Sequence, residues 1–286
     1  MSTVKITECP RDAMQGIKEF IPTEKKTEYI QLLLEAGFDT IDFGSFVSPK
    51  AIPQMADTAA VLAQLDLSNT SSKLLAIVAN ERGAEDASQH KEIDYLGYPF
   101  SISENFQMRN THKTISQSVD ILKSILNIAD RCNKEVVAYL SMGFGNPYGD
   151  PWDVEIVGEW TEKLSGMGVQ ILSLSDTIGS SNPENIAYLF SHLIPLYPNI
   201  EFGAHLHTTP HSWFEKVDAA YNAGCRRFDG AIQGFGGCPM AKDELTGNMP
   251  TEKLLSYFTT KKVNNLNALS FESAHNEATK LFSAYH

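Results

Sequence analysis

Cysteines are few in this sequence, and nothing in their spacing suggests that they pair. Cys9, Cys132, Cys225 and Cys238 are far apart and form no CxxC motif, which argues against a zinc knuckle or a disulfide framework. No apolar stretch reaches the roughly 20 residues that a membrane-spanning helix requires, and the N-terminus has no basic run followed by an apolar stretch. We therefore expect a soluble, cytoplasmic protein with free thiols.

Positive charge is also scarce. Lys and Arg total 23 against 35 Asp and Glu, which gives a formal net charge of −12. Such a surface disfavours extended contact with nucleic-acid phosphates or with an anionic membrane. A small anionic substrate stays open if cations gather locally. The composition thus indicates neither a nucleic-acid nor a membrane partner.

A dinucleotide-binding loop is missing too, since a Rossmann fold needs GxGxxG directly after its first strand and this chain has ECPRDAMQG there. Amphipathic segments with apolar residues at i, i+3, i+4 and i+7 separate short β-rich runs, which is typical of parallel strands joined by crossover helices. The β-rich runs are eight: 4–8, 39–44, 73–79, 93–101, 135–143, 171–177, 201–207 and 227–234.

Eight βα units without a second compositional region predict an α/β fold, a closed (β/α)₈ TIM barrel formed as one domain by residues 1–286. The stretches 251–260 and 268–285 predict additional C-terminal helices, a cap over about 251–286. Three glycines should end helices in the left-handed conformation: Gly37, Gly168 and Gly224. The segments 150–153 and 181–184 each combine a capping side chain with proline and should begin helices with that proline in the first turn.

Two histidines lie at the end of the seventh predicted strand. His205 and His207 are two residues apart and share one face of a strand, whereas Ala204 and Leu206 face the other. Because Ala and Leu suit the side packed on helices, both imidazoles should point into the barrel. There they could ligate one metal ion, or they could be core histidines satisfied by hydrogen bonds.

Carboxylates follow other strands at the same end of the barrel, where TIM barrels have their active sites. Arg11 and Asp12 come directly after the first strand, while Asp42 and Asp176 end the second and sixth. Asp12 could reach the axis beside the histidines as a hard oxygen ligand. Imidazoles together with a carboxylate and an amide oxygen suit Mg²⁺ or Mn²⁺, with zinc as an alternative.

A glycine-rich segment, GFGGCPMAKDELTGN over 234–248, follows the eighth predicted strand. Its glycines would allow a mobile lid, with Cys238 at the tip. A lone cysteine is commonly a small buried apolar residue. On an exposed loop over the barrel mouth it could instead deliver its thiol to a substrate.

At these residues the chain resembles the hydroxymethylglutaryl-CoA lyase group of DRE-type TIM-barrel metallolyases. The matching strings, in family order, are PRDAMQ, SFVSPKAIPQM, SLSDTIG, AHLH, GFGGCPMA and TGNMPTE. The metal ligands that the resemblance implies are Asp12, His205, His207 and Asn248, through its amide oxygen. The catalytic residues that it implies are Arg11, Asp42, Asp176, His205 and Cys238, and the substrate-binding residues are Gln15, Lys18, Ser45 and Glu252.

The resemblance implies a retro-Claisen cleavage of 3-hydroxy-3-methylglutaryl-CoA to acetyl-CoA and acetoacetate, a reaction of leucine degradation and ketone-body formation. A divalent cation would acidify the tertiary hydroxyl, and His205 or Asp42 would remove its proton. Arg11 would stabilise the thioester enolate, and Cys238 would protonate it. An acyl-CoA substrate and a homodimer are the partners that this reading implies.

The chain departs from the family pattern around the substrate. The family acid before PRDG is missing or displaced by one residue next to Thr7, and Asp42 replaces a longer Glu. Val137 stands where Arg is expected, Asn146 in place of Cys, and Thr208 in place of Asp. Alternatives are therefore a related metallolyase or aldolase for a different 3-hydroxyacyl-CoA, or a non-catalytic acyl-CoA-binding paralogue.

Overall fold

A computed structural model describes residues 3–237, 246–263 and 266–285 of the chain. The strands are β1 (Lys5–Glu8), β2 (Thr40–Ser45), β3 (Lys73–Ile77), β4 (Ile93–Ser101), β5 (Glu135–Ser141), β6 (Ile171–Ser175), β7 (Glu201–His205), β8 (His207–Thr208), β9 (Arg227–Gly230) and β10 (Gly247–Asn248). The α-helices are α1 (Pro10–Gln15), α2 (Thr23–Ala36), α3 (Thr58–Leu62), α4 (Glu81–Ser88), α5 (Glu104–Thr111), α6 (Ile115–Arg131), α7 (Val154–Gly166), α8 (Pro183–Leu196), α9 (Trp213–Asn222), α10 (Thr251–Thr260) and α11 (Ala268–Tyr285).

Eight parallel strands close into a barrel in the order β1-β2-β3-β4-β5-β6-β7-β9, which confirms the predicted TIM barrel. The barrel closes where β1 pairs with β9, with Lys5 beside Arg227 and Glu8 beside Gly230. Each of the eight predicted β-rich runs overlaps one barrel strand. The two remaining strands, β8 and β10, pair with each other at the barrel mouth.

The predicted helix ends are confirmed, and one of the two predicted helix starts is wrong. The three glycines have positive φ, at +82° for Gly37, +102° for Gly168 and +104° for Gly224. Asn182 caps α8 through a capping box, with proline in the first turn. α7, however, is capped by Asp153, because the Asp153 side chain accepts from a backbone amide of the first turn. The Asp150 carboxylate instead binds side chains near the start of α5.

The barrel interior has an apolar part and a polar part. Six buried residues from β3 to β6 form a small hydrophobic cluster of their own: Leu75, Ile77, Tyr95, Val137, Tyr139 and Ile171. The inward residues of the other strands are largely polar, and Arg227 lies among them with its guanidinium 5.4 Å from the Tyr95 ring. Alternate residues of the same strands face outward into the main core beneath the helices. The polar half of the interior is where ionisable groups collect.

The predicted C-terminal helices are confirmed at their predicted positions. α11 packs against α2 on the outside of the barrel, where the Phe282 ring meets the edge of Tyr29 at 6.0 Å. α10 packs against α9 and against β9, the last barrel strand in the sequence. Within the described ranges, no helix combines the length and apolar character that crossing a membrane demands.

Candidate cation site at the barrel mouth

Asp12 lies in a short helix at the barrel mouth, directly after β1. α1 begins at Pro10, which suits a first turn because its missing N–H would have no intrahelical partner there. The Asp12 side chain is buried. Burial alone would raise the pKa of Asp12, but the charge of Arg11 and further contacts outweigh it, so the pKa lies below the ordinary aspartate value. Asp12 is therefore held as a carboxylate.

His205 and His207 lie on two different strands. The prediction that one strand contains both histidines is wrong, because β7 ends at His205 and His207 belongs to β8. β8 pairs antiparallel with β10, and the register places His207 opposite Asn248. The two imidazole rings remain close, with centroids 5.5 Å apart. Leu206 lies between them and packs in the hydrophobic core, as the alternation predicts.

The pKa values of the two histidines shift in opposite directions. Burial, together with the neighbouring His205, lowers the pKa of His207 to about 4. Burial also acts to lower the pKa of His205, but the hydrogen bond and charge of Asp229 outweigh it and raise that pKa. The bond joins His205 Nδ1 to Asp229 Oδ2 at 3.2 Å. His207 is thus neutral at neutral pH, the form that binds a metal ion.

Asp12, His205 and His207 form a cluster with the spacing of a cation site. One ligand atom from each lies within 4.8 Å of the others. His207 Nδ1 is buried and has no hydrogen-bond partner among the described residues. Because buried polar atoms normally have partners, this nitrogen is suited to a ligand. One carboxylate and two imidazoles fit a divalent cation, so the residues present agree with the predicted group.

Asn248, the fourth predicted ligand, reaches the cluster from β10. Its Nδ2 donates to Asp12 Oδ2 at 2.6 Å and to Phe235 O at 2.9 Å. Ligation through Oδ1 would require the amide to rotate so that oxygen and nitrogen exchange places. The structure thus brings all four predicted residues together, and the amide oxygen as a ligand stays a prediction.

Arg11 clamps the second carboxylate of the mouth. Its Nε lies 3.0 and 3.2 Å from the two oxygens of Asp42, and Nη2 lies 2.5 Å from Asp42 Oδ2. Nη1 donates to Asp12 Oδ1 at 3.0 Å. Burial raises the pKa of Asp42 to about 6, against the opposing charge and hydrogen bonds of Arg11. One guanidinium therefore bridges two buried carboxylates, and Asp42 titrates close to neutral pH.

Asp176 is fully buried beside this cluster, but its carboxylate is engaged elsewhere. Oδ2 accepts from Ser181 Oγ at 2.5 Å and from Lys216 Nζ at 3.0 Å, while Oδ1 accepts from Ser181 N. Lys216 Nζ also donates to His207 O at 2.8 Å. Asp176 and Lys216 thus hold the backbone of His207 rather than face the cluster.

Gln15 and Ser45, predicted to bind substrate, both lie in the mouth. Gln15 Nε2 donates to Asp12 Oδ1 at 2.6 Å, and Gln15 Oε1 accepts from Arg11 at 3.0 Å. Ser45 is buried at the end of β2, where its Oγ accepts from the backbone amide of Val47 at 3.3 Å. Gln15 therefore supports the Arg11–Asp12 pair in addition to any contact with substrate.

Lys18 and Glu252, two further predicted residues, are more peripheral. Lys18 is exposed after α1. Glu252, in the first turn of α10, accepts from the backbone amide of Gln233 at 3.0 Å. Cys238 lies outside the described residues. Its predicted role as a proton donor therefore stays a prediction.

The described start of the glycine-rich segment, residues 234–237, approaches Asp12 closely. Gly234, Gly236 and Gly237 all have positive φ. A Cβ added to Gly236 would come within 2.6 Å of Asp12 O and 2.8 Å of Ala13 Cα. Position 236 therefore requires glycine for its backbone conformation and for its close approach to α1.

The departures from the family pattern have identifiable surroundings. Thr7 faces the interior beside Asp229 in the β1–β9 register, and its Oγ1 has no partner within the described part of the chain. Val137 is buried in the apolar interior cluster. Asn146 Oδ1 accepts from two backbone amides of its own loop. Thr208 Oγ1 lies 3.0 Å from a serine hydroxyl at the start of α9.

Glu8, the acid displaced by one residue, faces the helices instead of the interior. Its carboxylate accepts from Ile232 N at 2.9 Å and from Thr251 Oγ1 at 2.5 Å. Burial raises the pKa of Glu8 to about 8, although both hydrogen bonds oppose the shift. Glu8 is therefore protonated in the folded protein at pH 7, whereas in the unfolded chain it is ionised above its ordinary pKa of 4.5.

This pKa makes stability depend on pH. The contribution of protonated Glu8 is fully present below pH 4.5 and is lost as the pH rises through about 8, because the folded state binds the extra proton. Between these values the free energy of unfolding should fall by about 1.4 kcal/mol per pH unit from this group. Glu8→Gln keeps the shape, so denaturant unfolding should show it increasingly more stable than wild type as pH rises. The exposed Glu35→Gln is the control, and identical pH profiles for Glu8→Gln and wild type would contradict the assignment.

Three residues at the site lie outside the strings that match the family, and they were not predicted from the sequence. Asp229 orients His205, and Tyr139 meets the edge of the His205 ring at 5.6 Å. Lys216 holds His207 from α9. Alternation along RFDG, which turns Asp229 inward and Phe228 outward, could have indicated Asp229. No local pattern distinguishes Lys216 from an exposed helix lysine.

The fold and this cluster define a TIM-barrel protein with a candidate cation centre at the C-terminal ends of its strands. Residues 4–276 match the HMGL-like family. The chain is 35% identical over 246 residues to hydroxymethylglutaryl-CoA lyase YngG of Bacillus subtilis, covering 86% of this chain and 81% of that protein. It is 32% identical over 256 residues to the hydroxymethylglutaryl-CoA lyase of Pseudomonas mevalonii, covering 89% and 84%.

Solved structures agree with these sequence matches. An HMG-CoA lyase from Acenitobacter baumannii, in complex with coenzyme A and 3-methylmalate, superposes with a TM-score of 0.89 at 28% identity, over 98% of this chain and 92% of that one. The chain therefore belongs to the HMG-CoA lyase family.

Proposed function

We propose that this protein is a divalent-cation-dependent carbon–carbon lyase that cleaves 3-hydroxy-3-methylglutaryl-CoA to acetyl-CoA and acetoacetate. The observation that carries the proposal is the largely buried cluster of Asp12, His205 and His207 next to the Arg11–Asp42 clamp. The names of the relatives, among them a structure with coenzyme A, support an acyl-CoA thioester as the substrate class.

Asp12, His205 and His207, with Asn248, would hold the cation, which would supply Lewis acidity toward the substrate's oxygens. Asp42 is the better of the two candidate bases. Burial brings its pKa to about 6, so it is largely ionised at pH 7 and can accept the proton of the tertiary hydroxyl. His205 is less suited, because its Nδ1 is bonded to Asp229 and its ring belongs to the ligand cluster.

Arg11 would stabilise the charge that develops as the C2–C3 bond breaks. The electron pair of that bond passes to the thioester carbonyl, which becomes an enolate oxygen, while the hydroxyl carbon becomes the ketone of acetoacetate. Arg11 is nearly buried and fixed by three acceptor side chains, so its guanidinium needs little reorganisation. Cys238 would then return a proton to the enolate carbon to complete acetyl-CoA.

A cavity beside the cluster offers room for part of an acyl-CoA. Its volume is about 590 Å³, within the range of small-molecule sites. It reaches from Asn248 to the ends of α10 and α11, and Lys253 supplies a cation at its wall. We place the thioester arm here, with the acyl group toward Asp12.

The test is acetoacetate release from 3-hydroxy-3-methylglutaryl-CoA by full-length protein supplied with Mg²⁺ or Mn²⁺. Turnover that disappears on chelation and returns with the cation is the expected result. Absence of turnover by cation-loaded protein would rule out this substrate. Turnover of another branched 3-hydroxyacyl-CoA instead would favour a related metallolyase with a different substrate. Val137 supports that alternative, because it places an apolar side chain in the barrel interior where the family pattern has Arg.

Two variants separate the roles within the site. His207→Ala should lose cation binding, measured by titration, because it removes a ring nitrogen that has no other partner among the residues that the structure describes. Cys238→Ala should keep cation binding and lower kcat about 10²- to 10⁴-fold, the usual contribution of a general acid. Full activity in Cys238→Ala would exclude the thiol as the proton donor.

A further inference from the structure

A second group of metal-ligating side chains lies within the barrel, next to the candidate cation centre. Cys9, His205 and Asp229 each offer a ligand atom, and these atoms lie within 4.8 Å of one another. Cys9 and Asp229 are buried, and His205 is partly buried. His205 and Asp229 lie on β7 and β9, and Cys9 directly follows β1, so all three are near the closure of the barrel, where β9 meets β1 and β7.

The surroundings of Cys9 differ from those of an inert core thiol. Cys225 lies in the main hydrophobic core, whereas Cys9 belongs to neither hydrophobic cluster. The Cys9 thiol donates to Thr7 O at 3.8 Å, and its sulfur lies within 4.8 Å of a carboxylate oxygen of Asp229. A carboxylate next to the sulfur favours a cation at that point.

An unpartnered oxygen points to a ligand at the same place. Asp229 Oδ1 is buried and makes no hydrogen bond with any described residue, although Oδ2 is bonded to His205. Thr7, beside Asp229 in the register, also has a buried hydroxyl without a partner in the described ranges. Two buried oxygens without partners in one small polar space are unusual, because such atoms normally bind protein, water or an ion.

We propose that Cys9, His205 and Asp229 form a second cation site, selective for a thiophilic ion such as Zn²⁺ or Cd²⁺. One thiolate, one imidazole and one carboxylate are a zinc-type donor set, whereas Asp12 and the two histidines lack sulfur. On binding, the Cys9 thiol releases its proton to solvent as the sulfur–metal bond forms. His205 is common to both groups, so a thiophilic ion at this site competes for a ligand of the neighbouring centre.

Cadmium alone is a suitable probe, because cadmium–thiolate bonds absorb in the ultraviolet through charge transfer. Full-length protein in excess Mg²⁺ is titrated with Cd²⁺. We expect a charge-transfer band that saturates at a single Cd²⁺ per chain and is lost in Cys9→Ser. Cys132→Ser, at an exposed thiol, and Cys238→Ser should keep the band.

Asp12→Asn separates the two sites, since it removes a ligand of the first centre only and should keep the band. Asp229→Asn should weaken Cd²⁺ binding while its circular dichroism stays native. A wild-type protein without the band, or a band that persists in natively folded Cys9→Ser and Cys9→Ala, would overturn the proposal. None of these measurements depends on lyase activity, so their failure is distinct from failure of the proposed function.

Discussion

Arg11→Gln is expected to lower kcat/KM about 10²- to 10³-fold, the effect of removing a preorganised group that stabilises developing charge. The substitution also leaves Asp12 and Asp42 facing each other without the guanidinium that bridges them. The pKa of Asp42 should then rise above about 6, so the acid limb of the pH–rate profile should move to higher pH. Steady-state kinetics across a pH series measures both effects.

Arg82→Gln is the matched control, because Arg82 is exposed and forms a long ion pair, 3.7 Å, with Asp86 on α4. It should leave kcat/KM and the pH profile unchanged. Arg11→Lys keeps the charge but cannot reproduce the forked contact with Asp42, so it should restore the activity only in part. Wild-type kcat/KM in Arg11→Gln would contradict the role of Arg11 at the reacting centre.

Lys216→Met is expected to destabilise the protein by about 3–5 kcal/mol, the usual cost of leaving one partner of a buried ion pair uncompensated. Methionine preserves length and apolar volume, so the loss reflects the charge. The Asp176 carboxylate loses its cation, and His207 O loses its donor. Cation affinity should fall as well, because the β8 backbone that presents His207 is no longer held. Denaturant unfolding and cation titration measure the two losses.

The control is Lys123→Met, at an exposed lysine paired with Asp120 on α6, which should change stability by less than about 1 kcal/mol. A double mutant gives the sharper test. Asp176→Asn combined with Lys216→Met should cost much less than the sum of the single substitutions, because the charge stranded by either one is absent. Additive losses would mean that the two residues do not form a coupled pair.

The barrel could be predicted from the sequence because its signals are local. Each strand is a short β-rich run, and each crossover is an amphipathic helix, so periodicity alone indicates the alternation. The glycines that end helices could also be predicted from the sequence, as the positive φ values of Gly168 and Gly224 confirm. The start of α7 was misplaced because Asp150 and Asp153 both have capping chemistry, and the choice between them depends on the contact of Asp150 with α5.

Two signals in the sequence predict residues of the site: a position at a strand end, and membership of a string that matches the family. They bring Asp12, His205 and His207 to one mouth, and the structure clusters these three. They do not indicate that β7 stops at His205, because that break depends on β10, a partner about forty positions along the chain. Lys216 was missed for a similar reason, since its burial follows from the packing of α9 over Asp176 rather than from its own helix.

The predicted ligands come from both sides of the barrel's closing seam: Asp12 follows β1, His205 and His207 lie on β7 and β8, and Asn248 lies on β10. β1 is the first barrel strand to be made and β9 is the last, and the bond from Ile232 to Glu8 spans 224 positions. Contacts of such long range form late and slow folding. The cation centre therefore cannot assemble on a nascent or truncated chain, and cation affinity should report completed barrel closure during refolding.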